Sequence, residues 1–247
     1  IKTGAVPVLI NTHYKPDELK AVLDYSDVSV LYYGRGYKEV LYGNVIESVK
    51  KDLPKLQRYD DMNYDSKGKF LSLNDFTSEE KSEAALKNLE NVKAQVKCTD
   101  IACIIFTSGT TSVPKGVMLS HYNIVNNAAA TVRHMRWKSN DKMCLTVPLF
   151  HCFGMTAGIV SCLISGAGAY LLPHFSTGEV WKLITEGGCS IMNGVPSMFL
   201  SIVRKGKVPN TVAVALKSGI IAGSPIIKED YLEIIKKFPE MRLQPSY

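Results

Sequence analysis

Hydrophobic positions along the chain fall into short apolar runs separated by stretches of helical periodicity. The run A-V-P-V-L-I within Gly4–Ile10 reads as a buried strand. Pro16-Asp17-Glu18 then opens a helix, with proline in the first turn and acids near the N-terminus, and Leu19, Val22 and Leu23 supply its apolar stripe. Val28 to Tyr33 is the next strand, and a Gly34-Arg35-Gly36 turn leads into a helix through Val40, Leu41, Val45 and Val49. Ile101 to Phe106, Lys142 to Val147, Ala169 to Leu172, Cys189 to Met192 and Arg242 to Ser246 read as further strands. Tyr122–Arg136, Thr177–Thr185, Pro196–Val203 and Lys228–Phe238 read as helices, the last using Tyr231, Ile234 and Ile235. Gly154 to Ile164 is so uniformly apolar that it predicts a helix buried all round. Strand–helix alternation of this kind predicts an α/β sandwich layered on largely parallel sheets. A first subdomain is expected over 1–138 and a second over 139–247.

One region breaks the pattern. Asp60-Asp61 through Lys69 is polar and weakly patterned, and Ser78 to Lys97 reads as a charged helix whose apolar face is only Ala84, Ala85 and Leu89. It is expected to be a solvated surface excursion without chemistry of its own.

Composition narrows the class without naming the chemistry. Of 247 residues, 46% are hydrophobic and 21% charged, as in an ordinary globular protein. A net charge of +6 is spread through helical stretches, so it argues against a nucleic-acid footprint and for a mild preference for anionic ligands. The six cysteines show no metal-ligand spacing, and several lie inside apolar runs, which reads as buried thiols in a reducing compartment. No apolar run reaches membrane-spanning length, so no integral membrane association is expected. The chain opens at Ile1 rather than Met and stops at Tyr247 just after a strand, so both ends read as cut and any targeting signal would lie outside it.

The chemistry concentrates after the Ile101–Phe106 strand, where the text runs Thr107-Ser108-Gly109-Thr110-Thr111-Ser112-Val113-Pro114-Lys115-Gly116. Core building does not call for five clustered hydroxyls. Hydroxyls and the N–H groups of a glycine-containing turn are what a polyphosphate needs around it, and Lys115 adds positive charge. The plain alternative is a Ser/Thr/Gly turn between two strands. A Walker A loop is excluded, because that loop needs Gly-Lys-Ser/Thr and here Lys115 precedes Gly116. The stretch resembles the signature loop of the adenylate-forming superfamily, which includes AMP-forming acyl-CoA synthetases, luciferases and peptide-synthetase adenylation domains. That signature reads T-S-G-T-T-G-x-P-K-G, and this chain departs from it at Ser112. If the backbone there has positive φ, serine would be strained.

Three further stretches carry the resemblance in the same order. Pro148-Leu149-Phe150-His151-Cys152-Phe153-Gly154 follows a strand and so belongs at a carboxyl end, where open α/β sheets bind ligands. From residue chemistry alone His151 reads first as a packed, hydrogen-bonded histidine. The resemblance instead implies that His151, Phe153 and Gly154 line and gate an acid pocket. The absence of an acid between Leu149 and Met155 suits an apolar carboxylic acid better than an amino acid. Asn193-Gly194-Val195-Pro196 resembles the family's G-V-P segment, another wall of that pocket built on Gly194 and Val195; taken alone it is a strand-to-helix turn. Ala222, Gly223, Ser224 and Pro225 resemble the turn that passes beside the adenine, where small residues let backbone approach a flat base. Gln244-Pro245-Ser246-Tyr247 resembles the lead-in to Y-G-x-T-E, whose Tyr stacks on adenine.

The resemblance implies part of the large N-terminal domain of an acyl-CoA synthetase-like fold. It implies ATP-dependent activation of a medium- or long-chain fatty acid to an acyl-adenylate and then to acyl-CoA, with ATP, Mg2+ and coenzyme A taking part. Thr107, Ser108, Gly109, Thr110, Thr111, Ser112, Lys115 and Gly116 would hold the phosphates. The family's Mg2+-holding Glu, ribose-binding Asp and catalytic Lys lie beyond the position of Tyr247, so this stretch alone is expected to be inactive. The alternatives are a non-catalytic family member that binds nucleotide or acts through protein contacts, and an unrelated phosphate-binding α/β protein. The resemblance also implies a cytoplasmic or organelle-matrix enzyme.

Overall fold

Alternation of buried side chains along the strands of the second half of the chain builds one parallel sheet. The computed structural model describes residues 3–37, 39–62, 83–107, 114–205 and 216–246. Packing divides the chain into two units, Ile1–His121 and Tyr122–Tyr247. The division falls just inside helix α4 (His121–Met135), after its first residue. Met135 at the end of that helix, with Trp137, packs into the core of the second unit, which draws the helix to that side.

The first unit is assembled from small pieces. Strands β1 (Val8–Leu9), β6 (Ile101–Thr107) and β7 (Lys115–Ser120) form one sheet, β1 parallel and β7 antiparallel to β6. Strand β2 (Val30–Tyr33) pairs in parallel with β5 (Arg58–Asp61), and β3 (Gly36–Tyr37) pairs antiparallel with β4 (Val40–Leu41). Helices α1 (Pro16–Tyr25) and α2 (Tyr42–Val49) close a core of Leu19, Leu23, Leu31, Ile46, Val49 and Leu53. The start of α1 is as expected: Pro16 opens the helix, and the Glu18 carboxylate accepts the Lys15 N–H at 2.8 Å.

Two expectations in this unit need correction. Val40 and Leu41 belong to a short hairpin strand and are exposed, not helical. A Cβ on Gly36 would lie 2.1 Å from the Val40 carbonyl oxygen, so glycine permits the close crossing that makes the ribbon. The polar stretch that begins at Asp60 starts inside β5, paired backbone to backbone with β2 while Tyr59 packs on the core. Ladder hydrogen bonds rather than apolar alternation make this strand, which is why its pattern was silent. Helix α3 (Glu83–Gln95) lies within the charged stretch; residues 63–82 and the side chains of Ala84 and Ala85 lie outside those described.

The second unit is a five-stranded sheet, all parallel, in the order β12 (Arg242–Pro245), β11 (Ser218–Ile221), β10 (Ile191–Asn193), β8 (Lys142–Leu145), β9 (Gly168–Leu171). The helix over 152–165, α5, follows β8; α6 (Thr177–Thr185), α7 (Pro196–Lys205) and α8 (Lys228–Lys237) follow β9, β10 and β11 in turn. Period-two alternation sorts the strand residues onto two faces. Cys144, Met192 and Ile221 meet Val180, Trp181, Ile184, Phe199, Ile202 and Ile234 of α6, α7 and α8. Met143, Leu145, Ile191 and Ile220 meet Met135, Trp137 and Cys162 on the other face.

The expected helix from Gly154 is present but not buried all round. It runs from Cys152, α-helical at Cys152–Gly154 and Ser161–Ser165 with a π segment at Met155–Val160. Its buried face is made by Gly154, Thr156, Gly158, Ser161 and Cys162, whereas Leu163 is 77% exposed. Small residues face the sheet because a Cβ on Gly158 would stand 2.7 Å from Leu145 Cδ1.

Candidate functional site

Numbered by their sequence order within the second unit, its strands run 5-4-3-1-2 across the sheet. The direction of winding therefore reverses between β8 and β10, and the carboxyl ends of those two strands stand at the topological switch point, where open parallel sheets hold ligands. The segments that leave β8 and β10 there are 146–154 and Gly194–Val195.

The loop after β8 is tied tightly. The His151 N–H donates to Pro148 O at 3.3 Å, and the Gly154 and Met155 N–H groups donate to His151 O at 3.1 and 2.9 Å. Any side chain at residue 154 would collide with the Pro148 carbonyl, 2.2 Å from a Cβ placed there. His151 itself is the N-cap of the helix: its Nδ1 accepts the Phe153 N–H at 3.2 Å. That contact requires an unprotonated Nδ1 and puts the ring proton on Nε2. The Cys152 Sγ lies 3.6 Å from the same nitrogen. This contact draws the Cys152 thiol below the ordinary thiol range and raises the imidazole, with burial opposing both. The Phe153 amide works against a charged ring, because it and an Nδ1 proton cannot share one position.

The loop after β10 crosses the end of β11. The Gly194 N–H donates to Ile220 O at 3.0 Å and the Ala222 N–H to Gly194 O at 3.2 Å, extending the ladder past the strand ends. Gly223 has φ +87°, a left-handed conformation that favours glycine, and a Cβ there would meet Val195 Cγ1 at 3.1 Å. Gly194 and Val195 are thus brought against Ala222 and Gly223. Ser224 and Pro225 continue the turn, both exposed.

The residues expected to hold phosphates fall in the first unit. Thr107 ends β6 and pairs with Lys115, and Gly116 pairs with Phe106; Thr107 and Lys115 are exposed at the sheet edge. A Cβ on Gly116 would press on Ile104 Cγ2 and Phe106 Cζ, each at 3.2 Å. Ser108, Gly109, Thr110, Thr111, Ser112 and Val113 lie outside the described residues, so the expected strain at Ser112 lies there too, as does Tyr247.

The match of the chain to known proteins decides its family. The AMP-binding enzyme family matches over residues 1–247. The chain belongs to the AMP-binding enzymes. Relatives include the human medium-chain acyl-CoA ligase ACSF2, mitochondrial, 30% identical over 266 aligned residues that take in 100% of this chain and 43% of that protein. The acyl-CoA ligase sidI of Beauveria bassiana is 29% identical over 100% of this chain and 42% of its own length. The chain therefore spans less than half of these relatives. Among solved structures, the ATP-bound MatB of Rhodopseudomonas palustris superposes with a TM-score of 0.74 at 18% identity, covering 98% of this chain and 45% of that one. The N-terminal domain of FACL13 from Mycobacterium tuberculosis gives 0.72 at 24% identity, covering 100% and 57%. These likenesses show the mixed α/β fold of an acyl-CoA synthetase-like N-terminal domain.

Asn193 is the residue the sequence reading passed over. Its side chain is wholly buried, yet both ends of its amide are bonded, to Ala157 O and to Ile220 N–H. The available signal was an amide closing an otherwise apolar strand. Among the described residues no group of three or more His, Cys, Asp or Glu is placed to hold a metal ion, so the Mg2+ implied by the resemblance is assigned no ligand here. No helix among them is long and apolar enough to cross a membrane.

Proposed function

We propose that this chain supplies the phosphate loop, acid pocket and adenine wall of an ATP-dependent acid–thiol ligase acting on a medium- or long-chain fatty acid. In this reading a carboxylate oxygen attacks the α-phosphorus of ATP and the bond to pyrophosphate breaks. A thiol sulfur, that of coenzyme A, then attacks the acyl carbon and AMP leaves. The first step is a phosphoryl-centre displacement, governed by positioning and charge neutralisation. Lys115 and the hydroxyls from Thr107 to Ser112 neutralise the departing pyrophosphate. His151, Phe153, Gly154, Gly194 and Val195 shape the acid pocket, and Ala222, Gly223, Ser224, Pro225 and Tyr247 flank the adenine. Mg2+ would add charge at the phosphates, held by residues beyond this chain. A subdomain over 1–138 carries the phosphate loop and one over 139–247 the other two walls.

The observation that carries this reading is the family match along the whole chain. The names of the relatives, medium-chain acyl-CoA ligase among them, support the acid and the thiol. Free cysteines and the word mitochondrial in that relative's name support a cytoplasmic or organelle-matrix enzyme. A second reading, a family member that binds nucleotide without catalysis, draws on the chain's covering only 43% of that relative. ATP–pyrophosphate exchange separates the two: acid-dependent exchange by the full-length protein supports the ligase, and nucleotide binding without exchange supports the second reading. The 247-residue chain alone should give no useful exchange; rapid exchange by it would contradict the assignment of catalytic parts beyond Tyr247.

A further inference from the structure

The π segment at Met155–Val160 lies directly behind the His151–Gly154 wall. π segments are rare, occur mostly as single turns inside α-helices and are frequent at functional sites. Two side chains bond the carbonyls of this one. Ser161 Oγ donates to Thr156 O at 3.0 Å from within the helix. Asn193 Nδ2 donates to Ala157 O at 3.1 Å from the end of β10. The other end of the same amide accepts the Ile220 N–H of β11 at 3.0 Å. One side chain with no solvent exposure therefore joins the helix after β8, the end of β10 and the middle of β11. Filling space in an apolar core does not call for an amide, and a buried amide is tolerated only when its partners are met, as they are here. Gly158 completes the arrangement by letting the π segment settle on Leu145, where a Cβ would stand at 2.7 Å.

We propose that Asn193 is a positioning residue for the acid pocket. Its amide couples the π segment behind His151–Gly154 to the crossing of Gly194 over β11, so the two walls hold one spacing around the bound carboxylic acid. The inference rests on the functional reading above.

Asn193→Asp tests it, because only one of its two contacts survives ionisation. An ionised carboxylate still accepts the Ile220 N–H but repels Ala157 O, whereas the protonated acid can donate to Ala157 O. Burial raises the acid's pKa, which makes the switch reachable in mild acid. In the 247-residue chain, the His151 ring-proton resonance should differ between this variant and wild type at the same pH above that pKa and lose the difference on acidification, while the His13 resonance of the two proteins coincides throughout. In the full-length protein, KM for decanoate in ATP–pyrophosphate exchange should rise about tenfold at pH 8 and recover in acid, with KM for ATP unchanged. Gly158→Ala, which leaves Asn193 intact but lifts the π segment, should shift the same resonance and raise the same KM. It serves if Asn193→Asp does not fold. A His151 resonance unmoved in the folded variants overturns the inference, and so does an equal rise in KM for ATP and decanoate with no recovery in acid. A His151 shift in a protein whose wild type shows no acid-dependent exchange overturns the functional reading, and with it the acid-positioning role, leaving only the structural link.

Discussion

The two units of this chain solve the same folding problem in different ways. In the second, one parallel sheet of five strands carries an apolar cluster on each face, between which residues of β8, β10 and β11 alternate, while the edge strand β9 is exposed. In the first, the strands among the described residues occur in groups of three, two and two, and a six-residue buried cluster closes over α1 and α2. A two-stranded ribbon has little independent stability, whereas a sheet buried on both faces recruits every strand into one cooperative core. The difference teaches where the precision of a site comes from. The proposed walls at His151, Gly194 and Gly223 leave the ends of the five-stranded sheet, and Thr107 and Lys115, which flank the proposed phosphate loop, close the antiparallel pair of β6 and β7.

Core deletions should expose the contrast most strongly. Ile202, with no exposure in the second unit, should cost about 4–5 kcal/mol on replacement by alanine, and Leu23→Ala in the first unit about 2–3 kcal/mol, the two ends of the usual range for an aliphatic side chain. Urea unfolding of the 247-residue chain measures both. Costs that are equal or reversed would break the comparison. Amide hydrogen exchange sharpens it without mutation. Amides of Ile191–Asn193 should exchange at least about a hundredfold more slowly than those of Gly36–Tyr37 and Val40–Leu41. Similar protection in both places would mean that the small ribbon is held by more than its own pairing.

The smallest effect concerns the thiol beside His151. Cys152 and Cys98 are the exposed cysteines among the described residues, one in each unit. Because the His151 contact lowers the Cys152 pKa, more thiolate is present near pH 7 than for an ordinary thiol. His151→Gln should raise that pKa and slow iodoacetamide alkylation of Cys152 by about three- to tenfold at pH 7, leaving Cys98 unchanged. Mass spectrometry of the two peptides reads both rates. Equal slowing at both cysteines would trace to altered folding and count against the specific contact.

Most of this architecture was legible in the sequence because apolar periodicity and core formation coincide. Thr177–Thr185 is a helix at its expected bounds, and Leu19, Val22 and Leu23 are buried as the stripe of α1 required. The failures share a cause. Arg58–Asp61 and Val40–Leu41 are strands made by backbone pairing, which leaves no periodic trace in side chains. Leu163, apolar and expected inside, is exposed because glycines and serines form the packed face of its helix; there, small size rather than hydropathy marks the interior. At Gly154, Gly194 and Gly223, positions of the proposed site, close approach or positive φ gives glycine a structural reason. At Asn193 the sequence offers only an amide at the end of an apolar strand, because its partners at Ala157 and Ile220 are distant in sequence. The inner phosphate-loop expectation, from Ser108 to Ser112, lies outside the described residues and rests on its flanks.

The central claim is that Lys115 and its neighbouring hydroxyls form the pyrophosphate side of an adenylate-forming site. ATP–pyrophosphate exchange driven by decanoate, in the full-length protein with and without Lys115→Ala, tests it most directly. Removing a preorganised charge from a departing pyrophosphate should lower exchange by about a hundredfold or more. Exchange undiminished by the substitution, or driven by amino acids and not by decanoate, would contradict the account.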